Sequence, residues 1–243
     1  MIIGIIPARY ASSRFPGKPL VDIAGKPMIQ RVYEQAIKCD LLDRVIIATD
    51  HAAIQETSLE FTENVVMTSP DHQNGTERCA EVAANTGGDY FLNIQGDEPF
   101  IDPSQIKLVC EALLSGAKIA TLKINIKDWQ DIQDSNLVKV ITDQNGKALY
   151  FSRSPIPYCK ELPKEQWPNK HAYFKHVGLY GFHKVTLEEI VKLPQAELEI
   201  TESLEQLRWM AHGYEIHVME TNIESTGIDV PEDIDRTLRI FQP

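Results

Sequence analysis

The stretch Ile2–Pro19, IIGIIPARYASSRFPGKP, decides how the rest of the chain is read. Ile2, Ile3, Ile5 and Ile6 form a short β-branched apolar run that suits one strand buried on both faces. The strand is expected to stop at Pro7, and the polar segment beyond carries Arg9, Arg14 and Lys18 among small residues. Gly17 can take backbone angles closed to other residues. A cationic loop leaving the end of the first strand of an α/β sheet is well placed to hold a polyphosphate. Between Met1 and Gln30 there are four Lys or Arg against one acid, Asp22, in a chain whose net charge is −11. Positive charge is therefore concentrated at one place. The loop is not a Walker A loop, which would need glycine at 12 and Ser or Thr at 19, where Ser12 and Pro19 stand. The dinucleotide fingerprint G-x-G-x-x-G is also absent. On composition alone, an ordinary surface loop with scattered cations fits as well.

A chain of 243 residues can bury a full core. No run approaches the roughly 18 apolar residues of a membrane helix, and the N-terminus lacks the pattern of a secretory signal. These features predict a cytoplasmic protein without membrane insertion. Cys39, Cys79, Cys110 and Cys159 are widely spaced with no C-x-x-C pair, and read as apolar thiols rather than zinc ligands or disulfides. The acidic balance opposes non-specific nucleic-acid binding, which needs a broad basic face.

Beyond the loop, apolar spacing predicts a helix over Met28–Cys39, a strand over Arg44–Thr49 and a helix over Ala52–Leu59. A short strand at Val65–Thr68, a helix opening at Gly75-Thr76, a strand over Asp89–Ile94 and a helix beginning at Pro103 follow. This alternation implies a parallel sheet with right-handed crossovers, whose ligands bind at the carboxyl ends of the strands. The cationic loop and the acidic turn Gln95–Pro99 both fall at such ends. From Lys118 the pattern becomes β-rich, with strands at Ile119–Ile126, Val138–Thr142, Ala148–Phe151 and His176–Phe182. Residues 120–180 read as a β-rich lobe attached to the sheet within one domain spanning 1–243, with a face suited to a homodimer. A helix from Thr201 to about His212, capped by Thr201, a strand at Glu215–Met219 and a last helix after Val230-Pro231-Glu232-Asp233 complete the chain.

Eight segments in order resemble the 3-deoxy-manno-octulosonate cytidylyltransferases (CMP-Kdo synthetases) over essentially the whole chain. They are Ile6–Leu20, Ala48–Asp50, Asn74–Arg78 (NGTER), Asn93–Pro99 (NIQGDEP), Ala148–Arg153, Lys175–Phe182 (KHVGLYGF), Leu204–Arg208 (LEQLR) and Gly227–Ile234 (GIDVPEDI). The resemblance implies a Rossmann-like nucleotide-diphospho-sugar transferase fold, α/β with a mostly parallel sheet and a smaller dimerisation lobe. It implies transfer of CMP from CTP to Kdo with release of pyrophosphate, activating the sugar for lipopolysaccharide biosynthesis.

Attack of a hydroxyl on the α-phosphate of CTP gathers negative charge on phosphate oxygens, so catalysis rests on positioning and on cations. Arg9 and Lys18 are the candidates to neutralise that charge, with Arg14 a weaker third. The resemblance implies Pro7 and Ala8 as backbone contacts of the cytosine and Arg78 as a neighbour of the nucleotide. Asp97 and Asp229 match the family's two ligands of Mg²⁺, an ion that takes one or two protein carboxylates plus phosphate and water. Out of that context Asp97 reads first as a turn or cap acid and Asp229 also has a cap reading; Asp233 or Asp235 could serve the helix instead, and Asp233 is the expected N-terminal charge. The resemblance further implies Gln95, His176, Tyr180 and Glu205 or Gln206 as sugar contacts and Arg153 as partner of the sugar carboxylate. Out of that context His176 reads as a strand histidine with a structural hydrogen bond, and Glu205 and Gln206 as solvent-side helix residues. Phe182 departs from a family tyrosine, and Lys160–Lys170 has no family match. Two alternatives stay open: a cytidylyltransferase for another sugar acid, and a silent nucleotide-binding paralogue.

Overall fold

In the computed structural model, which describes residues 1–11 and 15–241, the first strand lies inside a nine-stranded sheet. The strands are β1 (Ile2–Ala8), β2 (Arg44–Thr49), β3 (Val65–Met67), β4 (Tyr90–Asn93), β5 (Ile119–Ile126), β6 (Lys139–Thr142), β7 (Ala148–Ser152), β8 (Tyr173–His183) and β9 (His217–Thr221). The helices are α1 (Met28–Ala36), α2 (Ala52–Leu59), α3 (Gly75–Ala84), α4 (Pro103–Leu114), α5 (Trp129–Gln133), α6 (Trp167–Lys170), α7 (Lys184–Ile190), α8 (Glu197–Glu202), α9 (Gln206–Ala211) and α10 (Glu232–Phe241). The main path runs β3-β2-β1-β4-β8-β5-β9, with β6 joining β8 and β7 joining β6. Pairings among β3, β2, β1 and β4, and between β5 and β9, are parallel; β8 is antiparallel to both neighbours. The sheet is therefore mostly parallel, as expected, with one reversed strand at its centre.

Alternation along β1 produces two cores. Ile2 and Ile6 pack with Ile29, Val32 and Ala36 of α1 and Ile106, Val109 and Leu113 of α4. Ile3 and Ile5 face the other way, toward Cys79, Val82 and Ala83 of α3, Leu187 and Ile190 of α7, and Leu207 and Trp209 of α9. Each fully buried isoleucine of β1 contributes about 1.5–3 kcal/mol, so a one-residue slip would forfeit both layers.

A separate apolar cluster has the most consequence for function. Ile23 and Met28, which follow the cationic loop, are buried against Ile228, with Phe15, Phe100, Ile234 and Leu238 around them. This contact draws the Gly227–Asp233 segment, more than two hundred residues downstream, to the end of β1.

Four expectations change. The strand does not stop at Pro7: β1 continues to Ala8, with Pro7 opposite Ala48. The single helix from Thr201 to His212 is two short ones, and Thr201 lies inside α8 rather than capping a helix. Ser203 breaks them with a left-handed backbone (φ 52°), and the chain folds back around a buried ion pair between Glu199 and Arg208. The apolar spacing continues across the break, so periodicity alone hides it. Strand β8 is longer than the expected His176–Phe182. Strands β5 and β8 belong to the central sheet, so within residues 120–180 only the β6–β7 hairpin lies off the main path. No described helix is long and apolar enough to cross a membrane.

Candidate active site

Three chain segments meet at the carboxyl end of β1. The first is the end of the strand and its loop: Pro7, Ala8, exposed Arg9, then Gly17 in the left-handed region (φ 70°) opening the single turn Lys18–Leu20. The second is the turn Gln95–Pro99 after β4. It approaches β1 so closely that a Cβ on Gly96 would stand 2.7 Å from the Pro7 carbonyl oxygen, which only glycine permits. The third is the Gly227–Asp233 segment, whose Ile228 N–H donates to the Asp97 carbonyl at 2.9 Å.

These contacts bring Lys18, Asp97 and Asp229 together. The Lys18 Nζ donates to Asp97 Oδ2 at 2.7 Å and to Asp229 Oδ1 at 3.4 Å. The lysine side chain is 16% exposed and the carboxylates 30% and 58%. Asp233, expected only as a helix charge, has a more specific task. Its Oδ2 accepts from the N–H groups of Asp229 at 2.9 Å and Val230 at 3.1 Å, fixing the turn that presents Asp229. Two carboxylates from distant turns already converge on one positive group. That donor set fits a hard divalent cation that takes its remaining ligands from phosphate and water.

Around this centre lies a cleft of about 380 Å³, lined among others by Pro7, Ala8, Arg9, Lys18, Arg78, Gln95, Asp97 and Asp229. Eight predicted site residues thus share one cleft. Arg78 is 3% exposed and already engaged: its guanidinium donates to Asp50 at 2.7 Å, to the Ser69 carbonyl at 3.3 Å and to the Thr68 hydroxyl. It contributes charge and shape to the cleft wall rather than a free hand. The cleft also takes in His72, Gln73 and Asn74, which the sequence reading did not single out, although Asn74 opens the NGTER segment. Asn74 caps α3 by accepting from the Glu77 N–H at 2.8 Å. Arg14 lies outside the described residues.

The remaining candidates form a second, more enclosed group beside the cleft. Asn93 of β4 and Tyr180 of β8 are direct cross-strand neighbours, as are Thr121 of β5 and Tyr180. Asn93 Oδ1 and the Tyr180 hydroxyl are buried and lack partners among the described residues. Burial, then the nearby Glu205 charge, push the Tyr180 phenol well above its usual range. Glu205 accepts from the Thr76 hydroxyl at 2.8 Å, and burial raises its carboxyl to about 7. Arg208, the cation nearest in sequence, is committed to Glu199 at 2.8 and 2.5 Å. Gln206 is buried beside Glu205 rather than facing solvent. His176 bonds Thr121 Oγ1 through Nε2 at 2.9 Å and packs edge-on to Phe151, and burial lowers its ring to about 3. Gln95 joins the two groups: it lines the cleft while its amide donates to the Gly178 carbonyl at 2.8 Å.

Arg153 stands apart from both. Its guanidinium donates to the carbonyls of Glu202 at 2.7 Å, Ser135 at 2.9 Å and Ser203 at 3.4 Å, bracing the turn between α8 and α9. Glu98, next to Asp97, has a buried Oε2 with no partner among the described residues, and burial followed by the Asp97 charge raises its carboxyl to about 7.

A cationic strand-end loop facing two acidic turns across an α/β sheet defines a nucleotidyltransferase of the Rossmann-like type. Comparison with known proteins gives the particular group. The Cytidylyltransferase family profile matches residues 3–219. The 3-deoxy-manno-octulosonate cytidylyltransferase of Trichlorobacter lovleyi is 48% identical over 97% of this chain and 96% of its own length. That of Parabacteroides distasonis is 49% identical, with the same shares covered. Among solved structures, a CMP:2-keto-3-deoxy-manno-octonic acid synthetase complexed with CTP superimposes with a TM-score of 0.93 at 37% identity, covering 99% of this chain and 98% of that one. The chain belongs to the 3-deoxy-manno-octulosonate cytidylyltransferase (CMP-Kdo synthetase) family, and it is a nucleotidyltransferase.

Proposed function

We propose that this enzyme transfers CMP from CTP to the anomeric hydroxyl of Kdo, releasing pyrophosphate, and so supplies the activated sugar for lipopolysaccharide biosynthesis. The observation that carries the reading is the Lys18 ammonium held between Asp97 and Asp229 in a cleft walled by Arg9 and Arg78. Relatives that bear the activity in their names, and one solved with CTP, support it.

On this reading Pro7 and Ala8 offer backbone groups to the cytosine, and Arg9 and Lys18 spread over the triphosphate. Positive charge placed in advance stabilises the charge that builds on the α-phosphate and on the departing pyrophosphate. Asp97 and Asp229 are the proposed ligands of Mg²⁺, and the Asp233 contacts hold Asp229 in place for that task. A bound Mg²⁺ would lower the pKa of an attacking hydroxyl and offset phosphate charge. Lys18 would then turn from the carboxylates toward phosphate, which its flexible four-carbon stem allows. Gln95, Tyr180, Glu205, Gln206 and His176 are the proposed contacts of the sugar hydroxyls. Their buried dipoles suit a polyhydroxylated ligand, because an unpaired buried polar atom favours any ligand group that completes it. Arg153 would reach a sugar carboxylate only by releasing the backbone carbonyls of Glu202, Ser135 and Ser203.

Pyrophosphate release from CTP and Mg²⁺, measured with Kdo and with other purified sugar acids in turn, is the direct test. Turnover is expected with Kdo. Failure on Kdo with turnover on another acid would replace the substrate, and failure on every acid would favour a silent paralogue. A homodimer is part of the same proposal, supported by the exposed Leu149 and Tyr158 and by β7, whose one ladder partner among the described strands is β6. A monomeric mass in sedimentation would remove it.

A further inference from the structure

The register of β5 against β8 breaks once, next to the enclosed polar group. Thr121 lies opposite Tyr180 while Leu122 lies opposite Val177, so the backbone register with β5 skips Gly178 and Leu179. Such bulges re-aim side chains and leave backbone groups to be satisfied elsewhere. Here the Gln95 amide takes the Gly178 carbonyl at 2.8 Å. The Thr121 hydroxyl, fully buried, lies 2.8 Å from the Leu179 carbonyl, 3.1 Å from the Val177 carbonyl and 2.9 Å from His176 Nε2.

A hydroxyl has one proton, and carbonyl oxygens only accept. If that proton went to His176, the threonine oxygen would face two carbonyl oxygens with no hydrogen between them. The proton therefore goes to the carbonyls, and toward His176 the hydroxyl accepts. His176 must then carry its hydrogen on Nε2, which leaves Nδ1 as the acceptor of the neutral ring. Burial keeps the ring neutral, consistent with this assignment.

We propose that Thr121 is a positioning residue for the sugar side of the site: held in the β8 bulge, it fixes His176 as the Nε2–H tautomer and orients Nδ1 to accept from a substrate hydroxyl. The proposal rests on the reading of His176 as a sugar contact. Thr121 and Gln95 divide the bulge between them, so the bulge is the element that couples the cleft to the sugar contacts.

The test uses the full-length enzyme with ¹⁵N-labelled histidine. The His176 signals are assigned by their loss in His176→Phe, and the tautomer is read from two-bond ¹⁵N–¹H correlations. Wild type should show the Nε2–H pattern at pH 7. Thr121→Val should lose it and raise the KM for Kdo about tenfold, the value of one hydrogen bond, with the KM for CTP within about twofold. Thr121→Ser, which restores the hydroxyl and removes only a methyl group, should recover both the spectrum and the KM. An Nδ1–H pattern in wild type, an unchanged spectrum and KM in Thr121→Val, or a Thr121→Ser as impaired as Thr121→Val would each overturn the proposal. An unchanged KM for Kdo in His176→Phe would instead overturn the sugar-side reading itself, whatever the nitrogen spectrum shows.

Discussion

In the cleft, Lys18 has carboxylate oxygens at 2.7 and 3.4 Å, and the groups involved keep between a sixth and more than half of their surface in water. In the enclosed group beside it, Glu205 accepts from a threonine hydroxyl at 2.8 Å, Tyr180 and Asn93 present polar atoms without partners among the described residues, and Arg208 is held by Glu199. One region balances charge with charge in a half-open setting; the other removes charge by burial and keeps dipoles. The difference matches two ligand chemistries. A triphosphate arrives with several negative charges and needs cations ready for it. A neutral polyol surface needs hydrogen-bond partners that discriminate by being costly to leave unpaired.

The largest effect should come from breaking the charged side. Asp97→Asn keeps shape and removes charge, leaving Lys18 with Asp229. Steady-state pyrophosphate release at saturating CTP and Kdo should fall about 10³-fold, in the range for losing a group that supports developing charge. The midpoint of thermal unfolding should move by only a few degrees, because Lys18 keeps Asp229 as a partner and asparagine leaves no buried charge behind. Near-normal turnover would refute the assignment of Asp97 and remove the basis of the contrast.

How far each region was legible in the sequence follows the same division. The charged side lies at strand ends and in short turns, so Ile2–Ile6, Lys18 and the Gln95–Pro99 turn marked it without any structure. That Asp229 stands opposite Lys18 was not readable from spacing. It depends on Ile23 and Ile228 meeting in a buried contact across two hundred residues, and family resemblance was needed to suggest it. The enclosed side was less legible still. Asn93 and Thr121 were missed because each sits in an apolar strand run, where a polar residue looks incidental until the register of β4, β5 and β8 lines them up with Tyr180. Glu205 and Gln206 looked solvent-facing because the break at Ser203 turns α9 in a direction that a continuous helix would not take. The bulge in β8 leaves no periodic trace, since two added residues preserve the strand's period of two.

The smaller effect tests the enclosed side through the stability of the folded chain. Burial raises the Glu205 carboxyl from 4.5 to about 7. Between those values the folded chain keeps a proton that the unfolded chain has released, so raising the pH across this window favours unfolding. A shift of that size corresponds to at most about 3 kcal/mol at the alkaline end. His176 acts in the opposite sense: with its ring lowered from 6.5 to about 3, stability falls as the pH drops below 6.5. Glu98, raised to about 7 by burial, adds to the Glu205 slope. Comparing Glu205→Gln with wild type isolates one carboxyl, because the other two groups are common to both. Urea midpoints taken from pH 4.5 to 8 should show the variant gaining on wild type steadily up to about pH 7 and then running parallel to it. Curves that stay parallel throughout would mean that Glu205 is ionised in the folded chain with a partner of its own, and the second region would then balance charge with charge just as the cleft does.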